Sequence, residues 1–91
     1  MSTPRFPLGD VVATPSALAL MKRHGANARD FLSRHQQGDW GDIGPEDAAM
    51  NDHAFNNGDR TFSVYALGND RIWIITEHDH SVTTILVPED Y

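Results

Sequence analysis

No cysteine occurs in the 91 residues, which removes disulfides, thiol nucleophiles and cysteine-based zinc sites together. Basic residues are scarce as well, seven against thirteen acids, for a net charge of −6. They also thin out along the chain. Residues 1–36 carry five basic and two acidic side chains, whereas residues 37–91 carry two basic and eleven acidic. Arg60 and Arg71 are the only Lys or Arg after Arg34. Binding or cutting a polyanion calls for a basic groove, so this balance argues against nucleic acid as a direct partner. No apolar run approaches the ~20 residues that cross a bilayer, so no membrane partner is expected. The opening Met1-Ser2-Thr3-Pro4-Arg5-Phe6-Pro7 has no apolar stretch of secretory type. A cytoplasmic protein is the expectation.

Motifs for cofactor chemistry are missing too. There is no Gly-x-Gly-x-x-Gly and no Gly-x-x-x-x-Gly-Lys, so no nucleotide cofactor is expected. The serines lack a Gly-x-Ser-x-Gly setting. The length fits one domain, 1–91, that buries roughly two-thirds of its unfolded surface and has no room for a cofactor domain.

What is present is a sheet. Thr61–Leu67, 71–77 and 81–87 are strand-length runs rich in β-branched and aromatic residues, separated by Gly68-Asn69-Asp70 and His78-Asp79-His80. Ile72-Trp73-Ile74-Ile75 is apolar on both faces and reads as the most buried strand. Asp10–Ala13 reads as a short first strand. Thr14-Pro15 opens a helix, with Thr14 as N-cap and Pro15 where its missing N–H costs nothing. Ala17, Leu18, Leu20 and Met21 form its apolar stripe, and Gly25 stops it.

A second helix starts at Asn27, buries Phe31, Leu32 and the His35 ring, and ends at Gly38. A third opens at Gly44-Pro45 with Glu46 and Asp47 near its positive end, and Gly58 closes it. On its buried side Met50, Ala48, Ala54 and Phe55 surround Asn51, whose amide must therefore find a backbone partner, with the Trp40 loop the expected place. Trp40 and Ile43 anchor that loop beneath the sheet. The predicted fold class is α+β, in the order β-α-α-α-β-β-β, with helices on one face of a small antiparallel sheet. Tyr65, Trp73, Thr83 and Ile85 are expected on the other, half-apolar face, with Phe6 and Leu8 as an alternative cover for it.

The densest titratable run is Glu77-His78-Asp79-His80. It lies at a hairpin turn where the histidines are expected in solvent, so neither a metal site nor acid–base catalysis is assigned to it. Residues 37–59 hold Asp39, Asp42, Glu46, Asp47, Asp52 and Asp59 without one Lys or Arg. Such a segment repels phosphate and suits a protein partner with a basic surface.

Phe6-Pro7-Leu8-Gly9, Val12-Ala13-Thr14-Pro15, Arg34-His35-Gln36, Gly38-Asp39-Trp40-Gly41, Ile75-Thr76-Glu77, Ser81-Val82-Thr83-Thr84 and Pro88-Glu89-Asp90-Tyr91 together resemble a family of small bacterial proteins common on plasmids and other mobile DNA. Some of its members are called type I restriction endonuclease subunit M. A chain of this length has no doubly wound cofactor-binding domain, so that label is not adopted. The resemblance implies a mobile-element protein and brings no catalytic residues. This chain has His80 where a basic residue is expected before Ser-Val-Thr-Thr.

The expectation is a non-enzymatic protein-binding module, in sharper form a counter-defence inhibitor of restriction or CRISPR machinery. The expected contact residues are Asp39, Trp40, Asp42, Glu46 and Asp47 from the acidic segment, and Tyr65, Trp73, Glu77 and His80 from the sheet. A free sheet edge also allows a homodimer. Two other readings are kept. One is an RNA-cleaving toxin, similar in element order to the RelE/ParE type, using Glu77, His78, His80 and Arg71. The other is a small DNA-binding regulator using Arg23, Arg29 and Arg34.

Overall fold

The computed structural model describes residues 6–57 and 60–91, without the side chains of 54–57. Its elements run β1 (Asp10–Ala13), α1 (Pro15–Arg23), α2 (Ala28–Gln36), α3 (Pro45–Asn57), β2 (Thr61–Leu67), β3 (Asp70–Thr76) and β4 (Val82–Leu86). A short 3-10 turn, Pro88–Asp90, comes after β4. The fold is α+β in the expected order. The sheet is ordered β1-β4-β3-β2, with the meander antiparallel and β1 parallel to β4.

The helix ends follow local chemistry. Thr14 Oγ1 accepts from the Ala17 amide at 3.2 Å, and Asn27 Oδ1 from the Arg29 amide at 2.9 Å, each satisfying a helix-start donor. Lys22 and Arg23 lie in the last turn of α1, against the negative end of its dipole. The expected stop of α3 at Gly58 falls outside the described residues.

Cross-strand register decides which side chains share a face. Tyr65 lies opposite Ile72, and Ile74 opposite Ile85, so Tyr65, Leu67, Ile72, Ile74, Ile85 and Val87 form one buried layer. Ala17, Leu20 and Met21 of α1 close over it, with Phe31 and Leu32 of α2 at its margin. Ile72 and Ile74 are fully enclosed, each contributing about 1.5–3 kcal/mol by burial.

This corrects the expected face. Tyr65, Thr83 and Ile85 belong to the helix-covered core, and only Trp73 of that set is on the opposite side, in register with Val64 and Leu86. Period-2 alternation sorts a strand into two sets, but it does not say which set of one strand joins which set of the next.

The third helix departs from expectation as well. It runs beside the β2 edge, and Met50 stays 68% exposed. The expected contact is Asn51, which is buried. Its Nδ2 donates to the Phe62 carbonyl at 2.6 Å and its Oδ1 accepts from the Phe62 amide at 3.1 Å. The side chain thus stands in for a neighbouring strand. Its partner is the β2 edge, one step from the Trp40 loop. Just beyond, the Val64 amide donates to the Trp40 carbonyl at 3.0 Å, and the Asp42 amide to the Val64 carbonyl at 2.6 Å. Gly41 makes that bridge possible: φ is +79°, and a Cβ there would strike the Val64 carbonyl and the Tyr65 ring.

Candidate interaction surface

With α1 and α2 on one face, the other face of the sheet carries side chains that, among the described residues, no helix covers along its middle. Phe62, Ile75 and Thr84 line up across β2, β3 and β4, and Val64, Trp73 and Leu86 form the next row. Ile75 and Leu86 are buried within these rows, while Phe62, Val64 and Trp73 are half-buried. The turn Pro88–Asp90 brings the Tyr91 ring to 5.3 Å from that of Trp73, leaving Tyr91 70% exposed. A groove of about 310 Å³ lies between Phe62, Trp73, Ile75 and Tyr91, with Arg60 at its rim. A wider depression continues from Phe62 and Arg60 to Met50, His53 and His78.

Two ion pairs fence this face. Arg71 reaches Asp42 at 3.1 Å and Arg60 reaches Glu77 at 3.5 Å, all four side chains being partly exposed. Pairs of this kind are worth about 0–1 kcal/mol, so they mark the rim more than they hold it.

The acidic segment is tied down unevenly. Asp39 takes the Arg34 Nε at 2.7 Å, and that bond holds its carboxyl below the usual carboxylate range while raising Arg34. The Arg34 guanidinium also sits 4.5 Å above the centre of the Tyr65 ring. The Tyr65 hydroxyl donates to the Asp39 carbonyl at 2.6 Å, and burial pushes its pKa up to about 12. Trp40 is 5% exposed and its Nε1 donates to Asp52 at 3.0 Å. Tyr65 and Trp40 are therefore corrected from contact residues to anchors of the loop. Asp39 and Asp42 remain accessible but already hold an arginine each. Glu46 and Asp47, in the exposed first turn of α3, belong to no ion pair among the described residues.

The hairpin after β3 also differs from expectation. His78 is exposed, but His80 is partly buried, with φ +59° and its ring stacked 5.3 Å from Phe6. Asp79 takes up the turn by accepting from both the amide and the hydroxyl of Ser81. Arg34, one of the three cations of the DNA-binding reading, is committed to Asp39 and Tyr65. Arg71, from the toxin reading, is committed to Asp42.

A connected polar cluster lies in the interior. His35, Ser63, Thr76 and Thr83 are all 0% exposed. Thr83 Oγ1 donates to the Leu8 carbonyl at 2.7 Å, which uses its single proton. Thr76 Oγ1 must then donate to Thr83, at 2.8 Å, and His35 Nε2–H to Thr76, at 2.9 Å. That leaves His35 Nδ1 as acceptor for the Ser63 hydroxyl at 2.6 Å. The imidazole is thus neutral and fixed as the Nε2–H tautomer, and burial lowers its pKa to about 4. The Ser63–His35 contact has nucleophile–base spacing, but Phe6 and Trp40 seal it edge-on at 5.3 and 5.5 Å. Sequence reasoning placed the His35 ring inside and overlooked its partners. The signal was available as three hydroxyl residues at inward strand positions.

Compared with family models, curated proteins and solved structures, the chain matches none of them.

Proposed function

We propose that this protein is a non-enzymatic binding module that covers a surface of another protein through the uncovered face of its sheet. The observation that carries the reading is the group Phe62, Trp73, Ile75 and Tyr91, drawn from two neighbouring rows and the C-terminal turn, around an open groove that no helix covers among the described residues. Aromatic side chains half-sunk in a surface are the usual anchors of protein contacts. The bridge between Gly41 and Val64 lays the acidic loop along the β2 edge of that same face. A partner with an apolar spot flanked by basic residues fits both features. The loop steers the approach and the aromatic group holds the contact.

In its sharper form the partner is a nucleic-acid-handling enzyme of the restriction or CRISPR kind, whose phosphate-binding surface meets Asp42, Glu46 and Asp47. The resemblance to mobile-element proteins and the acidic segment support this version.

The experiment is a pull-down from the native host, followed by titration of the recovered partner. Trp73→Ala should weaken binding at least about tenfold, the scale of a single anchor. The double substitution Glu46→Gln and Asp47→Asn should flatten the salt dependence and slow association. It spares the internal pairs of Asp39 and Asp42, so folding is not at stake. Unchanged affinity in Trp73→Ala sinks the sheet-face reading. Unchanged salt dependence in the double variant sinks the acidic-steering version.

A further inference from the structure

The two edges of this sheet are finished in opposite ways. On β2, the outward groups of Phe62 are taken by Asn51 and those of Val64 by the Trp40–Asp42 loop. β1, at the other edge, pairs with β4 alone. The amides of Asp10 and Thr14 donate to the Ser81 and Ile85 carbonyls, both at 2.9 Å. Even-numbered residues thus turn their backbone groups inward, and Val11 and Ala13 present N–H and C=O outward. Among the described residues those outward groups have no partner. Exposed edges are normally blunted by lysine, proline, a bulge or a covering element. Among the described residues Asp10-Val11-Val12-Ala13 has none of these, and Val11 and Val12 are 45% and 48% exposed.

We propose that β1 is a self-pairing edge: two copies of this chain join β1 to β1, antiparallel across a twofold axis, merging their sheets into one. A register centred on Val12 sets Val11 of one copy opposite Ala13 of the other. Both residues point outward, so each such pair exchanges two hydrogen bonds. Val12 meets its own counterpart on the uncovered face, and Asp10 falls opposite Thr14 of the second copy.

Charge is compatible with this seam although each chain carries −6. The one charged residue of β1, Asp10, stands four residues from its counterpart, about 14 Å along the strand. That is beyond the ~8 Å over which charges act at physiological salt. The seam is therefore complementary to itself in hydrogen bonding, with like charge confined to its two ends, where Asp10 faces Thr14 of the second copy and the Asp90 carboxylate that accepts from the Thr14 hydroxyl at 2.6 Å.

A second copy is favoured over a foreign strand because the β1 edge is open along its length, whereas the β2 edge is taken at Phe62 and Val64 and leaves only Ala66 outward. Joining β1 to β1 uses up the open edge of both copies, so pairing saturates at two, the closed symmetry of an isologous dimer. The inference stands apart from the proposed function. If both hold, the two aromatic faces become one platform continuous across Val12.

A four-residue seam is small against the ~1,600 Å² of a standard interface, so self-association is weak. Sedimentation velocity from about 10 µM to about 1 mM covers the range in which contacts of that strength form. The wild-type coefficient should rise from monomer to dimer and stop there. Val12→Lys puts two ammonium groups opposite each other at the centre and should stay monomeric, with an unchanged circular dichroism spectrum and melting temperature. Val11→Pro removes only an outward N–H and should behave alike, while Val12→Thr should still dimerise. In hydrogen exchange the Val11 and Ala13 amides should gain protection with concentration. A wild-type monomer throughout, Val12→Lys dimerising as wild type does, or association only with another protein's strand would each overturn the proposal. Should Val11→Pro not fold, Val12→Lys and the exchange measurement decide the matter.

Discussion

Lowering the pH from about 7.5 to about 4.5 should cost this fold about 2.5 kcal/mol through His35 alone. An imidazole in an unfolded chain titrates near 6.5. In the folded chain burial depresses the His35 pKa to about 4. As pH falls, the unfolded state takes up its proton first. The contribution is therefore complete above about 6.5, is lost between about 6.5 and 4, and changes no further below. A gap of roughly 2.5 units at 1.36 kcal/mol per unit gives a full loss of about 3.4 kcal/mol. Most of it is already gone at pH 4.5.

The ring's neighbours are the Ser63 and Thr76 hydroxyls and the Phe6 and Trp40 rings, none of them charged. A proton on Nδ1 would confront the Ser63 hydroxyl, which would have to reverse. The carboxyls of Asp39 and Asp79 are held down by Arg34 and Ser81, so their contribution is lost at more acid pH, outside this window. Urea unfolding followed by tryptophan fluorescence is the assay, with Trp40 packed on His35 as reporter. His35→Gln should abolish this part of the pH dependence. Should that variant not fold, the ring resonances of wild-type His35 should stay untitrated down to about pH 5. Titration of the ring near 6.5, or an equal slope in His35→Gln, refutes the reasoning.

Replacing Asn51 by Leu keeps volume but strands the Phe62 amide and carbonyl, and should destabilise by about 2–4 kcal/mol in equilibrium unfolding. A loss below about 0.5 kcal/mol would mean that water or another group serves that edge. Gly41→Ala should cost at least about 2 kcal/mol, because a residue at φ +79° is strained and its Cβ meets the Val64 carbonyl. The accompanying sign is faster amide exchange at Asp42 and Val64, whose bonds depend on that approach. Native-like exchange there would place the bridge outside the glycine's control.

The element order was legible because its signals are local. Thr14-Pro15 caps and opens α1, Asn27 caps α2, and Gly68-Asn69 breaks the meander. Burial of Asn51 and His35 was legible too, since each is a polar residue on an otherwise apolar stripe. What stayed hidden was the pairing of strands distant in sequence. The parallel bond of β1 to β4 spans about seventy residues and leaves no periodic trace. The same gap misplaced Tyr65, whose strand has two sets of comparable apolar character. Lacking the register with Ile72, nothing in the chain says which set meets the helices. Val64, Trp73 and Leu86 emerged as the uncovered row only once three registers were known. Ion pairing within the acidic segment was hidden for the same reason, because Asp42 finds Arg71 across a strand and not along a helix.

These pairings bear on how the acidic segment can act. A run of carboxylates on a free loop binds at the expense of ordering its backbone, at about 1–2 kcal/mol per residue. Here the loop is already ordered. The Asp39 carbonyl is held by the Tyr65 hydroxyl, its carboxylate by Arg34, and the Asp42 amide by the Val64 carbonyl. Proline at the start of α3 and the two hydrogen bonds between the Asn51 amide and the Phe62 backbone fix the first two turns of that helix against β2. The carboxylates of Asp42, Glu46 and Asp47 therefore stand on a backbone anchored to the sheet, so a partner of the proposed kind would find little backbone entropy left to lose. The closed His35 relay serves the same end from below. It joins α2 to β2, β3, β4 and the Leu8 segment through bonds that all depend on one tautomer, which ties the three strands and the helix into one body.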